Sequence, residues 1–168
     1  MFDVALIVES IPFLLRGAVY TVQVSVLAIV FGLVLGWLLG LAAVSGVAAL
    51  RAVAWAYVQF IRGTPLLVQI FLIYFGLPVL RIDIPAFWSG VVALGLNSGG
   101  FQAEIVRAGI ESIDRGQTEA ARSIGMSRFQ TLVFILVPQT IRRVIPPLTN
   151  ELIYADQELV PALRHRGA

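Results

Sequence analysis

The chain has 168 residues, of which 58% are hydrophobic and 13% charged, with a formal net charge of +2. Soluble domains carry roughly 45–50% apolar and about 25% charged residues, so an ordinary water-soluble core is excluded and lipid is the natural surrounding for this much apolar surface. His165 is the sole histidine, every other basic residue is arginine, and there is no cysteine, which excludes disulfides, thiolate metal sites and histidine clusters; so mild a balance does not suggest nucleic acid.

No charge falls between Arg16 and Arg51. The segment from about Tyr20 to Val44 has the length that a membrane-crossing helix needs, about 20 apolar residues. It is far longer than the apolar region of a signal peptide, about 7–15 residues, and is read as a retained span. Gly32, Gly36 and Gly40 recur at every fourth position, on one helix face, where small residues let a second helix approach closely. Glycine is also simply common in membrane helices.

A second span is expected from about Trp55 to Leu80. Its uncharged core lies between Arg62 and Arg81. Thr64 and Pro65 have the character of an N-cap and first-turn pair, so a helix that begins earlier is expected to bend there. A third span runs from about Ile84 to Ile110, with Pro85 in its first turn. It carries Asn97, Ser98, Gln102 and Glu104. Intramembrane polar groups are costly and face a cavity or a partner, so Asn97 and Ser98 are candidates for a solute path. Asn and Ser also bond neighbouring helices without meeting solute. Glu104 has Arg107 and Arg115 as possible partners.

Polar sequence follows. Asp114 with Gln117, and Ser127 with Gln130, have the spacing of capping pairs. Gly125 between them suits the left-handed residue past a helix end. The region 114–130 is therefore expected to form two short helices around a glycine break, with a solvated helical loop as the plain alternative. Thr131 to Pro138 is apolar but too short to span. Pro138 is expected to separate the second short helix from a partial fourth span over about 143–155, bent by Pro146 and Pro147. That span contains Asn150 and Glu151, two further path candidates. Arginines crowd the first and third connections, which places those connections in the cytoplasm and the N-terminus outside.

The stretch EAARSIGMSRFQTLVFILVPQTIRRVIPPLTNELI, beginning at Glu119, closely resembles the signature of permease subunits of bacterial ABC importers. RGTPLLVQIFLIYFGLP from Arg62 and LGLNSGGFQAEIVRAGIESIDRGQ from Leu94 are similar to motifs of the polar amino-acid branch, the histidine/glutamine/arginine type. The resemblance runs from about Tyr20 to Tyr154. It implies an all-α membrane bundle of the type I importer kind and a pore of two permease subunits. It also implies two ATP-binding subunits below and an extracytoplasmic solute-binding protein. Glu119, Ala120, Ala121, Ser123 and Gly125 would belong to a coupling helix seated in the ATPase. ATP and Mg would be held by that partner, since this chain has no Walker loop, and no cofactor or catalytic residue is expected here. A cell inner membrane location follows from the same likeness.

The end of the chain departs from this pattern. The family continues past a NELIY-like segment with a Lys-Asn-Ser-Ser-Leu type stretch and a further span, whereas residues 155–168 read ADQELVPALRHRGA. Freely chosen codons for this tail, read one base on, spell Leu-Ile-Lys-Asn-Ser-Ser-Leu, so a single-base insertion just after the Tyr154 codon is expected. On that reading the last span or spans are missing, and the polypeptide is a non-transporting remnant that at most associates with partner helices. A membrane enzyme is the third alternative, with no visible nucleophile–base or metal constellation to support it.

Overall fold

The computed structural model describes residues 4–157, with side chains described from 10 to 150. All regular structure among the described residues is helical: α1 (Val4–Ala43), α2 (Ala48–Gly63), α3 (Leu66–Val79), α4 (Ala86–Glu111), α5 (Arg115–Ser123) and α6 (residues 128–157). Residues 158–168 lie outside the described residues, and so does the side chain of Glu151.

α1 and α4 form the spine, and they run in the same direction. Tyr20 meets Phe87 edge-to-face at 5.0 Å. Farther along, Gly32 faces Ser98, Gly36 faces Gln102 and Gly40 faces Val106. A Cβ at Gly36 would sit 2.6 Å from the Cβ of Gln102, and one at Gly40 2.6 Å from that of Val106. Gly95 and Gly99 of α4 return the arrangement, receiving Phe31 and Leu35 of α1. The seam runs from Tyr20 to Gly40, about 30 Å at 1.5 Å per residue, which matches a hydrocarbon core of about 30 Å.

Two parallel neighbours oblige the chain between them to cross back. α2 and α3 are the helices that do so, and they meet at an angle of 105°. We read the pair as one broken crossing. Thr64 (φ −116°, ψ 133°) and Pro65 (φ −58°, ψ 140°) are extended at the break, as a residue before proline is driven to be. Thr64 does not cap the second half as its sequence position suggested. Its hydroxyl donates back to Phe60 O at 2.9 Å, and it ends α2 instead. Pro85 likewise precedes α4 rather than lying in its first turn.

By length and composition, Ser10–Ala43 and Arg128–Asn150 are apolar enough to cross a membrane, and the bent pair passes the same test when its two halves are taken as one span. α4 is long enough, about 39 Å for 26 residues, but is more polar. Its polar positions are tolerable because α1, α2, α3 and α6 pack around it.

The last helix differs from expectation. Pro138 does not separate a cytoplasmic helix from a span starting near Arg143. The helix is continuous from Arg128, with a π-helical stretch at Thr131–Leu136 immediately before Val137–Gln157. A proline ring clashes with the carbonyl four residues back. For Pro138 that residue is Phe134, inside the widened stretch. The same device occurs at Pro78, where Tyr74 lies in the π-helical Leu72–Gly76. Widening the turn relieves the clash without ending the helix.

The seam is directly testable. Gly36→Ala should lower the unfolding temperature of the detergent-purified protein, by an overpacking cost of about 1–3 kcal/mol. Gly17→Ala, with nothing within 4 Å of the new carbon, should not lower it. Equal melting points for the two would remove the close-packing account.

Candidate functional site

α5 is a short rod fixed at both ends. Asp114 is its N-cap, and its Oδ1 accepts from Gly116 N at 2.7 Å. Gln117 does not complete a box with Asp114. Its side-chain oxygen instead accepts from Gln139 Nε2 of α6 at 3.3 Å. At the other end Gly125 takes φ +87°, a conformation open to glycine at little cost. Its N–H donates to Arg122 O, and Met126 N–H donates to Ala121 O, both at 3.1 Å. This is the paired bonding of a glycine-terminated helix. Ser127 then caps the next helix with a complete box: its hydroxyl accepts from Gln130 N at 3.2 Å, and Gln130 Oε1 accepts from Ser127 N at 2.8 Å.

The rod has an inner and an outer side. Ala121 is buried, and α5 packs on the Thr131–Leu136 stretch. Glu119, Ala120, Ser123 and Gly125 are exposed. Ser123 Oγ donates to Ala120 O at 2.8 Å, keeping its hydroxyl on its own helix. Two apolar residues that the motif reading passed over flank this surface, Ile124 at 79% and Phe129 at 72% exposure. Their signal in the sequence is an isolated large apolar residue on each side of the glycine break.

The polar residues within the membrane are distributed among helix contacts. Ser98 is half-buried against Gly32 of α1, and its hydroxyl accepts from Gln102 Nε2 at 2.6 Å. Gln102 is 2% exposed. Asn97 is half-buried and directs Nδ2 toward Gln69 Oε1 at 3.4 Å. Asn150 is exposed on α6, and neither Asn97 nor Ser98 is hydrogen-bonded to it. Glu104 pairs with Arg107 at 2.5 Å, and Arg107 also reaches Glu111 at 2.5 Å. These three line an open groove of about 620 Å³ with Arg51, Trp55 and Gln59 of α2.

Gln69, which the sequence reading passed over, secures the broken crossing. It is 5% exposed. Its Nε2 donates to Ile61 O at 3.0 Å, Thr64 O at 3.1 Å and Thr64 Oγ1 at 2.9 Å. Carbonyls released where α2 stops are thus satisfied where no water would reach them in lipid. Its signal was a lone glutamine in an otherwise apolar run after Pro65. Nearby, Tyr57 donates its hydroxyl to Leu96 O at 2.7 Å, and Ile61 packs over Gly100, tying α2 to α4.

Residues 28–162 match the family model of the binding-protein-dependent transport system inner membrane component. The chain belongs to that family. It is 40% identical over 157 residues to the arginine transport system permease protein of Bacillus subtilis, covering 93% of this chain and 72% of that one. It is 43% identical over 142 residues to the L-cystine transport system permease protein of the same organism, covering 84% of this chain and 61% of that one. Among solved structures it resembles an amino acid ABC transporter crystallised with histidines, with a TM-score of 0.81 at 40% identity over 94% of this chain and 74% of that chain. An inward-facing methionine ABC transporter shares the fold at a TM-score of 0.72 and 23% identity, over 87% of this chain and 71% of that chain. The importer-permease family and fold expected from the motifs are therefore those the chain has.

The clamp at the break yields a prediction for this permease. Gln69→Leu keeps the volume but takes the donor from Thr64 O, while Ile61 O keeps only the longer bonds from Thr64 at 3.4 Å, so it should cost about 1–3 kcal/mol of stability. Thermal unfolding in detergent checks this. An unchanged melting temperature would mean that the carbonyls find other donors.

Proposed function

We propose that this chain is the membrane-spanning pore subunit of an ATP-driven importer for polar amino acids, and that α5 transmits the closure of a separate ATP-binding subunit. The observation that carries this reading is the construction of α5. A rod of nine residues, Arg115–Ser123, is capped at both ends and tied to α4 and α6, with an exposed face around Glu119, Ala120 and Ser123. Such a rod moves as a unit when gripped, and packed helices respond to it by hinge or shear rather than by local deformation. Ile124 and Phe129 extend the contact surface with apolar area at its rim. The amino-acid substrate is supported by the arginine and cystine permeases among the relatives.

In this reading the partners are the ATP-binding subunit with its ATP and Mg, a second permease subunit and an extracytoplasmic solute-binding protein. The N-terminus lies outside and α5 in the cytoplasm. The parallel course of α1 and α4 agrees with that orientation, since it brings the ends of both to the arginine-rich side. Hydrolysis belongs to the partner, and no catalytic group is assigned to this chain.

For the solute path we assign Asn97, Asn150 and Glu151. Ser98, bonded to Gln102 and facing α1, serves packing better than recognition. Glu151 would meet the cationic amino group of the solute.

Two measurements test the reading. The chain has no cysteine, so Ala120→Cys introduces a single thiol. In membranes containing the assembled importer it should crosslink to the ATP-binding subunit, and absence of any such crosslink would overturn the docking role. Glu151→Gln should reduce ATP-dependent uptake by about ten- to a hundredfold, the equivalent of losing one charge-assisted bond of about 1.5–3 kcal/mol, with assembly unchanged. Uptake at the unmodified rate would remove Glu151 from the path.

A further inference from the structure

One face of α6 grips the junction where α4 ends and α5 begins. Ser112 is the C-cap of α4 and stands two residues before Asp114, the N-cap of α5. Arg143 of α6 donates from Nη1 to Ser112 O at 2.6 Å and to Ser112 Oγ at 3.0 Å. The carbonyls of a helix C-terminus lack partners within the helix and carry partial negative charge, so a guanidinium there both satisfies and attracts. One turn away, Gln139 Nε2 donates to Gln117 Oε1 of α5. Between the two bonds, Val144 and Thr140 close onto Gly109 of α4, where an added Cβ would lie 2.5 Å from Val144 Cγ1 and 3.2 Å from Thr140 Cγ2. Thr140 and Val144 are fully buried.

We infer that Arg143 is the positioning residue that carries displacement of α5 into α6. The inference rests on the coupling role proposed for α5. Among the described residues, α6 holds α5 itself through the Gln139–Gln117 bond, and holds the C-cap of α4 at the root of α5 through Arg143. Only the second is charged and short. Displacement of α5 pulls on Ser112, and the planar guanidinium holding that carbonyl passes the pull to α6. Asn150 lies seven residues beyond Arg143, about 10 Å along the axis. Arg143 thereby connects the ATPase-facing rod to the helix that carries part of the solute path. Arg142, adjacent and exposed like Arg143, lies about 100° around the same helix.

The test uses the importer reconstituted in liposomes, with L-arginine and L-glutamine as solutes. Arg143→Ala, Arg143→Lys and Arg142→Ala are compared for basal ATP hydrolysis, for solute-stimulated hydrolysis and for solute moved per ATP. Arg143→Ala should keep co-purification and basal hydrolysis while lowering solute moved per ATP at least tenfold. Arg143→Lys, which keeps the charge and a donor, should recover most of that loss. Arg142→Ala should leave the ratio unchanged. An unaltered ratio in Arg143→Ala overturns the inference. Equal losses in Arg142→Ala overturn it too, by assigning the effect to headgroup contact. Loss of assembly in both Arg143 variants overturns it in favour of a purely structural role. The Ala120→Cys crosslink, measured on the unmodified Arg143 background and again with Arg143→Ala, separates the two levels. A crosslink that persists while the ratio stays normal refutes the Arg143 link alone, whereas no crosslink on the unmodified background refutes the coupling role and the link with it.

Discussion

Where Gly36 meets Gln102 and Gly40 meets Val106, two helices point the same way with almost no side chain between them. Lipid tails are as apolar as leucine, so burial of oily surface gives membrane helices little reason to associate. Close van der Waals contact and interhelical bonds must supply it. The glycines of α1 and α4 provide such contact from Phe31 to Gly40, about 14 Å of the seam. The parallel direction of the seam then constrains the remaining helices. The intervening chain has to return across the bilayer, and α4 becomes a central helix surrounded by others. Its polar side chains then meet protein rather than lipid.

The returning crossing shows how irregular backbone survives at this depth. In the absence of water, each unpaired carbonyl is expensive, and lipid-exposed breaks are not tolerated. Gln69 meets that requirement with one amide reaching three oxygens. The prolines at 78 and 138 meet it differently, through widened turns that let the ring fit while the helix goes on.

Much of this was legible in the sequence. The uncharged run after Arg16, the glycine period and the charge distribution revealed a membrane protein with close packing in its first span. Asp114, Gly125 and the Ser127–Gln130 box delimited α5 and the helix after it because caps are local chemistry, settled by residues within one turn; only Gln117 departed, turning to α6. Other features depended on partners distant in the chain. The bond from Gln117 to Gln139, the turn of Ser98 toward Gly32 and the service of Gln69 to α2 have no marker in local pattern. Pro138 misled for a related reason. Proline ends isolated helices, but a span held by its neighbours can change its hydrogen-bond register instead. The solute path was the least legible part, since Asn97 and Ser98 are consecutive on one helix and face different neighbours.

A widened turn also leaves a lasting geometric trace. A π-helical turn accommodates one residue more than an α-helical one, and a single residue advances a helix by about 100°. From Val137 to Asn150 the side chains of the last helix are therefore out of phase with a regular helical wheel drawn from Arg128. The face that Arg143 and Val144 present to Gly109 depends on that offset. Closing the Thr131–Leu136 stretch into regular α-turns with its length unchanged would swing this whole face by about 100° away from the helix it now grips, whereas deleting one residue there would let the turn close and keep the face in place.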